Sequence, residues 1–113
     1  MDHLPELTKV IQDQKLLSEV LSQIEKDLGE SHANLTQLEY TDITDLIETL
    51  ADILWEIHSR SKQGIFNLLY RIDLPESKVQ ETVSSEGFDW NLLAQLILKR
   101  ELQKVILRRH FST

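Results

Sequence analysis

Between Asp42 and Asp73 the apolar positions keep a helical beat. Ile43, Leu46, Ile47, Leu50, Ile53, Leu54 and Ile57 fall three or four residues apart, and Ile65, Leu68, Leu69 and Ile72 resume the pattern after the polar stretch HSRSKQG. From Leu50, Leu54 and Ile57, steps of three or four lead through Ser61 and Gly64 to Leu68 and Ile72 without a change of register. One continuous helix is therefore expected as the spine of the fold, about 45 Å long at 1.5 Å per residue, with a bend near Gly64, which costs about 1 kcal/mol inside a helix. Small Ser61 and Gly64 on its seam would let a second helix approach closely.

The flanking patterns predict three more helices. From Pro5, Leu7, Val10, Ile11, Leu17, Leu21, Ile24 and Leu28 form a stripe that Gln14 interrupts, so a first helix is expected over 5–28, stopped by Gly29. Residues 30–41 mix turn formers with Leu35, Leu38 and Tyr40 and read as a loop pinned to the bundle. Thr41 and Asp42 are both good caps for the spine. Asp73, Pro75 and Glu76 signal a new start, giving a short helix over 74–84 that buries Val79 and Val83. Gly87 ends it, Phe88 plugs the turn, and Asp89 caps a last helix from Trp90 to about His110. That last helix is apolar nearly all round: Leu92, Leu96 and Leu107 share one side, Trp90, Leu93 and Ile97 the next, Leu98, Leu102, Val105 and Ile106 the opposite one. Such a helix is normally covered on several faces, and a second copy of the chain is one way to cover it.

Composition supports the pattern. Three Gly and two Pro in 113 residues leave few breakers for a fold of strands and turns, and 41% hydrophobic residues suffice for one core. The expectation is a single all-α domain over 1–113, an up-and-down bundle of three long helices and one short one. With no cysteine there is no disulfide framework and no thiolate metal site, and no apolar run approaches the roughly 18 residues of a membrane span. The start, MDHLPELTKV, lacks the basic and apolar regions of a signal peptide, so a soluble cytoplasmic protein is expected.

The net charge of −7 is divided unevenly. Residues 1–58 hold thirteen acids against three lysines, whereas residues 59–113 hold nine bases against six acids. Such halves can pair within the fold or between copies. The basic end, with Lys99, Arg100, Lys104, Arg108 and Arg109, follows a short helix and a turn, as in a helix-turn-helix. The part that would read bases, DWNLLAQL, carries no Arg or Lys, so nucleic-acid binding is disfavoured.

Nothing in the spacing marks catalysis. His32, His58 and His110 have no second ligand at i+3 or i+4, His3 has only Glu6 at i+3, and the Glu-x-x-His and His-Glu-x-x-His patterns are absent. Asp45, Glu48, Asp52 and Glu56 form an acidic stripe along the spine that reads as a solvated face. No Gly-rich phosphate loop or nucleophile elbow appears, so no catalytic residue, cofactor or metal ligand is assigned. Trp55 and Trp90 are the aromatic anchors available to a partner, with Trp55 expected in the core and Trp90 partly exposed.

The segments LLYRIDLPESKV, 68–79, and LLAQLILKRELQKV, 92–105, resemble a pattern in small, uncharacterised all-helical proteins of bacteria. The resemblance covers the C-terminal half. It implies a bacterial cytosolic helical domain, gives no activity, and directs attention to the junction Tyr70, Arg71 and Asp73, where Arg71 could pair with Asp73, Glu76 or Glu101. The functional expectation is an interaction or assembly module that forms a homodimer through Trp90, Leu98, Leu102 and Val105. The alternative is an enzyme or a small-molecule or metal binder with its site between helices.

Overall fold

The computed structural model describes residues 4–29, Leu35 and 39–111. Among them are six helices and one small hairpin: α1 Leu4–Gln12, α2 Gln14–Leu28, α3 Ile43–Arg60, α4 Lys62–Ile72, α5 Glu76–Glu81, β1 Val83–Ser84, β2 Gly87–Phe88 and α6 Trp90–Phe111. The all-α expectation holds. The count of three long helices and one short one does not, because two of the expected helices are broken.

The first break is at Asp13. Its backbone is extended and its carboxylate accepts a hydrogen bond from the Leu16 amide, 3.0 Å, which makes it the cap of α2. Restarting the helix there puts Gln14 in an exposed first turn and still lets Leu7 and Val10 reach the same core as Val20, Leu21 and Ile24. The second break is at Ser61, also extended, whose Oγ accepts from the Gly64 amide at 3.1 Å while its own N–H closes α3 on the Ile57 carbonyl at 2.9 Å. A hydroxyl cap thus replaces the predicted bend. Gly64 does not admit another helix; the space where its Cβ would sit faces Ile57 Cγ2 and Ser61 Cβ.

Three other ends match their sequence signals, at Asp42, Asp89 and Gly29. Asp42 caps α3 through the Asp45 amide, 2.9 Å, and Asp89 caps α6 through the Leu92 amide, 3.0 Å. Gly29 ends α2 at φ +89°, a region that glycine enters freely. Asp73 does not cap a following helix; it closes α4 in the left-handed conformation, and Pro75 precedes α5. The helix expected over 74–84 lasts only from Glu76 to Glu81, after which Val83 pairs with Phe88 and Ser84 with Gly87. Val83 is exposed as a result. Of the loop 30–41, Leu35 is fully buried and accepts the Tyr40 hydroxyl on its carbonyl at 3.0 Å; Leu38 lies outside the described residues, as do His3 and His32.

One hydrophobic cluster runs through the molecule, from Leu7 and Val10 through Leu46, Leu50 and Leu54 to Ile65, Leu68 and Ile72, and on to Leu93, Ile97 and Val105. At its centre is α6, which packs against α1, α2, α3 and α4. The near-total apolarity of α6 has that cause: four helices cover it within one chain. Trp55, expected in the core, is 57% exposed, because the buried side of α3 is the line Leu46, Leu50, Leu54 and Ile57.

Candidate functional site

Two arrangements stand out from the packed core. The first is an apolar groove of about 690 Å³ between the α3–α4 elbow and the hairpin, lined by His58, Lys62, Phe66, Val79, Val83 and Phe88 among others. The break at Ser61 and the short α5 create it, since neither a straight spine nor a full helix over 74–84 would leave this corner. Phe66, Phe88 and His58 line it and Trp90 backs them: Phe66 to Phe88 with centroids 6.5 Å apart, Phe88 to Trp90 4.8 Å, and His58 edge-on to Phe88 at 5.6 Å and 5.1 Å from Trp90. Phe66 is 52% exposed and Val83 49%. Large apolar side chains left half in water beside a groove are characteristic of a docking surface rather than of a reaction site, which needs converging polar groups.

The second arrangement is a charged cluster between α2 and α6. Glu101 is fully buried and Asp27 nearly so, and Lys104 Nζ lies 3.0 Å from Asp27 Oδ2 and 2.8 Å from Glu101 Oε1. Gln23 Nε2 donates to Asp27 Oδ2 at 3.4 Å, the Arg108 guanidinium donates to Gln23 Oε1, and Arg71 Nε donates to the Asp27 carbonyl at 2.7 Å. With every acid ionised the core of the cluster holds two carboxylates against one ammonium, and neither Glu101 oxygen has a well-directed donor. A proton on Glu101 corrects both faults, balancing the charge and supplying the hydrogen bond between the two carboxyls. Burial, then that hydrogen bond, push the Glu101 carboxyl up to about 8. Burial also works against the Asp27 carboxylate, but the hydrogen bonds from Glu101 and Lys104 outweigh it and hold Asp27 below its ordinary range. The same two acids outweigh burial at Lys104 and raise it.

A smaller pocket of about 280 Å³ is edged by Lys78, Lys99 and Arg100 over Leu74 and Leu96. Its cations already face acids, Lys78 with Glu81, Lys99 with Glu6 and Arg100 with Asp73.

The sequence-predicted residues scatter. Leu98 and Val105 are buried in the chain's own core, Leu102 is half-buried, and Trp90 is half-buried behind Phe88 and His58 of the groove without lining it. The exposed apolar positions of α6 are instead Ile106, Leu107 and Phe111, the last 77% exposed. At the junction, Tyr70 is 87% exposed, Arg71 reaches Asp27 rather than Asp73, Glu76 or Glu101, and Asp73 takes Arg100 on both its carbonyl, 3.1 Å, and its carboxylate, 3.2 Å. The acidic stripe is spent locally: Asp45 accepts from the Thr41 amide, Glu56 pairs with Arg60, and Glu48 and Asp52 face solvent. Among the described residues no three His, Cys, Asp or Glu side chains gather as a metal site, and no helix is long and apolar enough to cross a membrane. No family model, curated protein or solved structure matches the chain.

Proposed function

We propose that this chain is a small cytosolic interaction module that self-associates, with the tip of α6 from one copy seated in the aromatic groove of the other. The observation that carries the reading is the groove itself, an open apolar corner with Phe66 and Val83 half exposed. The tip of α6 is a suitable occupant, since it carries exposed Ile106, Leu107 and Phe111 beside Arg108, Arg109 and His110. The segment 76–89, which forms one wall of the groove, holds Glu76, Glu81, Glu86 and Asp89 against Lys78 alone; Lys62 is the cation opposite. Charge and apolarity therefore complement each other, as in a helix laid into a groove.

Length also suits the pairing. Trp90 opens α6 at the groove and Phe111 ends it about 31 Å away at 1.5 Å per residue. Two copies side by side and antiparallel bring each tip over the other's groove and close as a two-fold dimer. Nucleic-acid binding is less favoured, because Arg100, Lys104 and Arg109 are each engaged by a carboxylate. Sedimentation equilibrium tests the proposal: a dimer at high micromolar concentration, lost in both Phe66→Glu and Phe111→Glu, is expected. A wild-type monomer throughout that range overturns it.

A further inference from the structure

We propose that the C-terminal half of α6 is latched onto α2 by the trio Asp27, Glu101 and Lys104, whose two carboxyls hold one proton between them, and that losing this proton as the pH rises undocks that half while the rest of the core stays folded. The geometry is a charge count in a closed space. Asp27 of α2 and Glu101 of α6 share the ammonium of Lys104, at 3.0 Å and 2.8 Å, with Glu101 wholly out of water. Protonated, the trio sums to zero; deprotonated, it leaves one uncompensated negative charge in the interior. Asp27 and Lys104 keep a narrow edge in water, 12% and 20% of their side chains, but the Glu101 carboxylate gains solvent only if the two helices part.

The surroundings fix where parting occurs. The other groups facing the trio are Gln23 on α2, Arg108 on α6 and Arg71 on α4, whose Nε is committed to the Asp27 carbonyl. One turn further along, the Arg109 guanidinium pairs with Glu19 of α2 at 2.7 Å on the exposed edge. Within one copy of the chain, the α6 residues beyond Val105, from Ile106 to Phe111, are all exposed, so in the monomer little apolar contact opposes opening of this end. The N-terminal half, with Leu93, Ala94, Leu96, Ile97 and Leu98 buried, has no such weakness.

The test follows the Glu101 and Asp27 carboxyl carbons by NMR from pH 5 to 10 in the full chain carrying Phe66→Glu, which keeps it monomeric, together with amide hydrogen exchange corrected for its intrinsic pH dependence. Glu101 is expected to ionise far above the ordinary carboxylate range, and protection of amides 102–110 to fall at least about tenfold over the same step, with Leu46, Leu50 and Leu68 unchanged. In Glu101→Gln, whose amide mimics the protonated acid, the step is expected to vanish. Asp27→Asn is a second variant should the first fail to fold: Lys104 then balances an ionised Glu101, and the alkaline loss of protection disappears. The proposal is overturned if Glu101 titrates as an ordinary carboxyl, if α3 and α4 lose protection together with α6, or if the variant that folds keeps the wild-type step.

Discussion

Glu101 sets the pH behaviour of the molecule at the residue scale. A carboxyl raised from 4.5 to about 8 on folding means that the folded chain holds this proton more tightly than the unfolded one. Its contribution to stability is therefore complete below about pH 4.5 and is lost progressively as the pH rises through about 8. Asp27, held low, contributes in the opposite sense, present above its unfolded value of 3.8 and lost as the pH falls below it. Urea midpoints measured from pH 5 to 9 should decline for the wild type and stay level for Glu101→Gln. Lys104→Met should cost about 3 kcal/mol at neutral pH by leaving a buried carboxylate without its cation. Glycines differ in the same way, by environment: Gly29→Ala, at φ +89°, should destabilise by roughly 1–3 kcal/mol, whereas Gly64→Ala, in helical backbone with room for a methyl, should gain about 0.5 kcal/mol in thermal or urea unfolding. The buried acids left a trace in the sequence that periodicity alone did not decode. Glu101 falls among Leu98, Leu102 and Val105 on an apolar side of the last helix, and Asp27 sits between Ile24 and Leu28, but nothing in either pattern says that the two acids meet.

Among elements, the helices were legible and their interruptions were not. The apolar beat passes through both breaks undisturbed because the core needs the same faces before and after them. What starts α4 is a single hydroxyl, and what starts α2 is a single carboxylate, each accepting from the amide three residues on. Such caps compete with helix continuation by about 1 kcal/mol, too little to shift a hydrophobic pattern. Ser61→Ala and Asp13→Ala should each lower stability by about that amount, read as a shift in urea midpoint with unchanged slope. The two-strand hairpin escaped notice for a related reason. Val79 and Val83 are spaced as on one helix face, yet Gly87 at φ +109° turns the chain back so that Val83 meets Phe88.

At the scale of the whole molecule, α6 rather than the stretch from Asp42 to Asp73 is the hub, since it touches four helices. Its apolarity gave the right hint, burial on several sides, and the sides turn out to be supplied by one chain. The acidic and basic halves partly answer one another within the fold, through Glu6 with Lys99, Glu19 with Arg109 and Asp27 with Lys104. The exposed members of that set should weaken with salt while the buried one does not, so raising ionic strength should lower the stability of Glu101→Gln and wild type by the same increment in urea titrations. The groove was invisible to sequence reasoning because it exists only where the elbow at Ser61 and the hairpin meet.

The elbow also settles a matter of scale. The molecule is 42 Å along its longest axis. An unbroken helix from Ile43 to Ile72 would be about 45 Å long, so a straight version would span the entire body and overshoot its present length by about two residues. Folding the rod at one serine keeps both halves of its apolar face against neighbours within a body of this size, and it opens the corner proposed above as the docking groove.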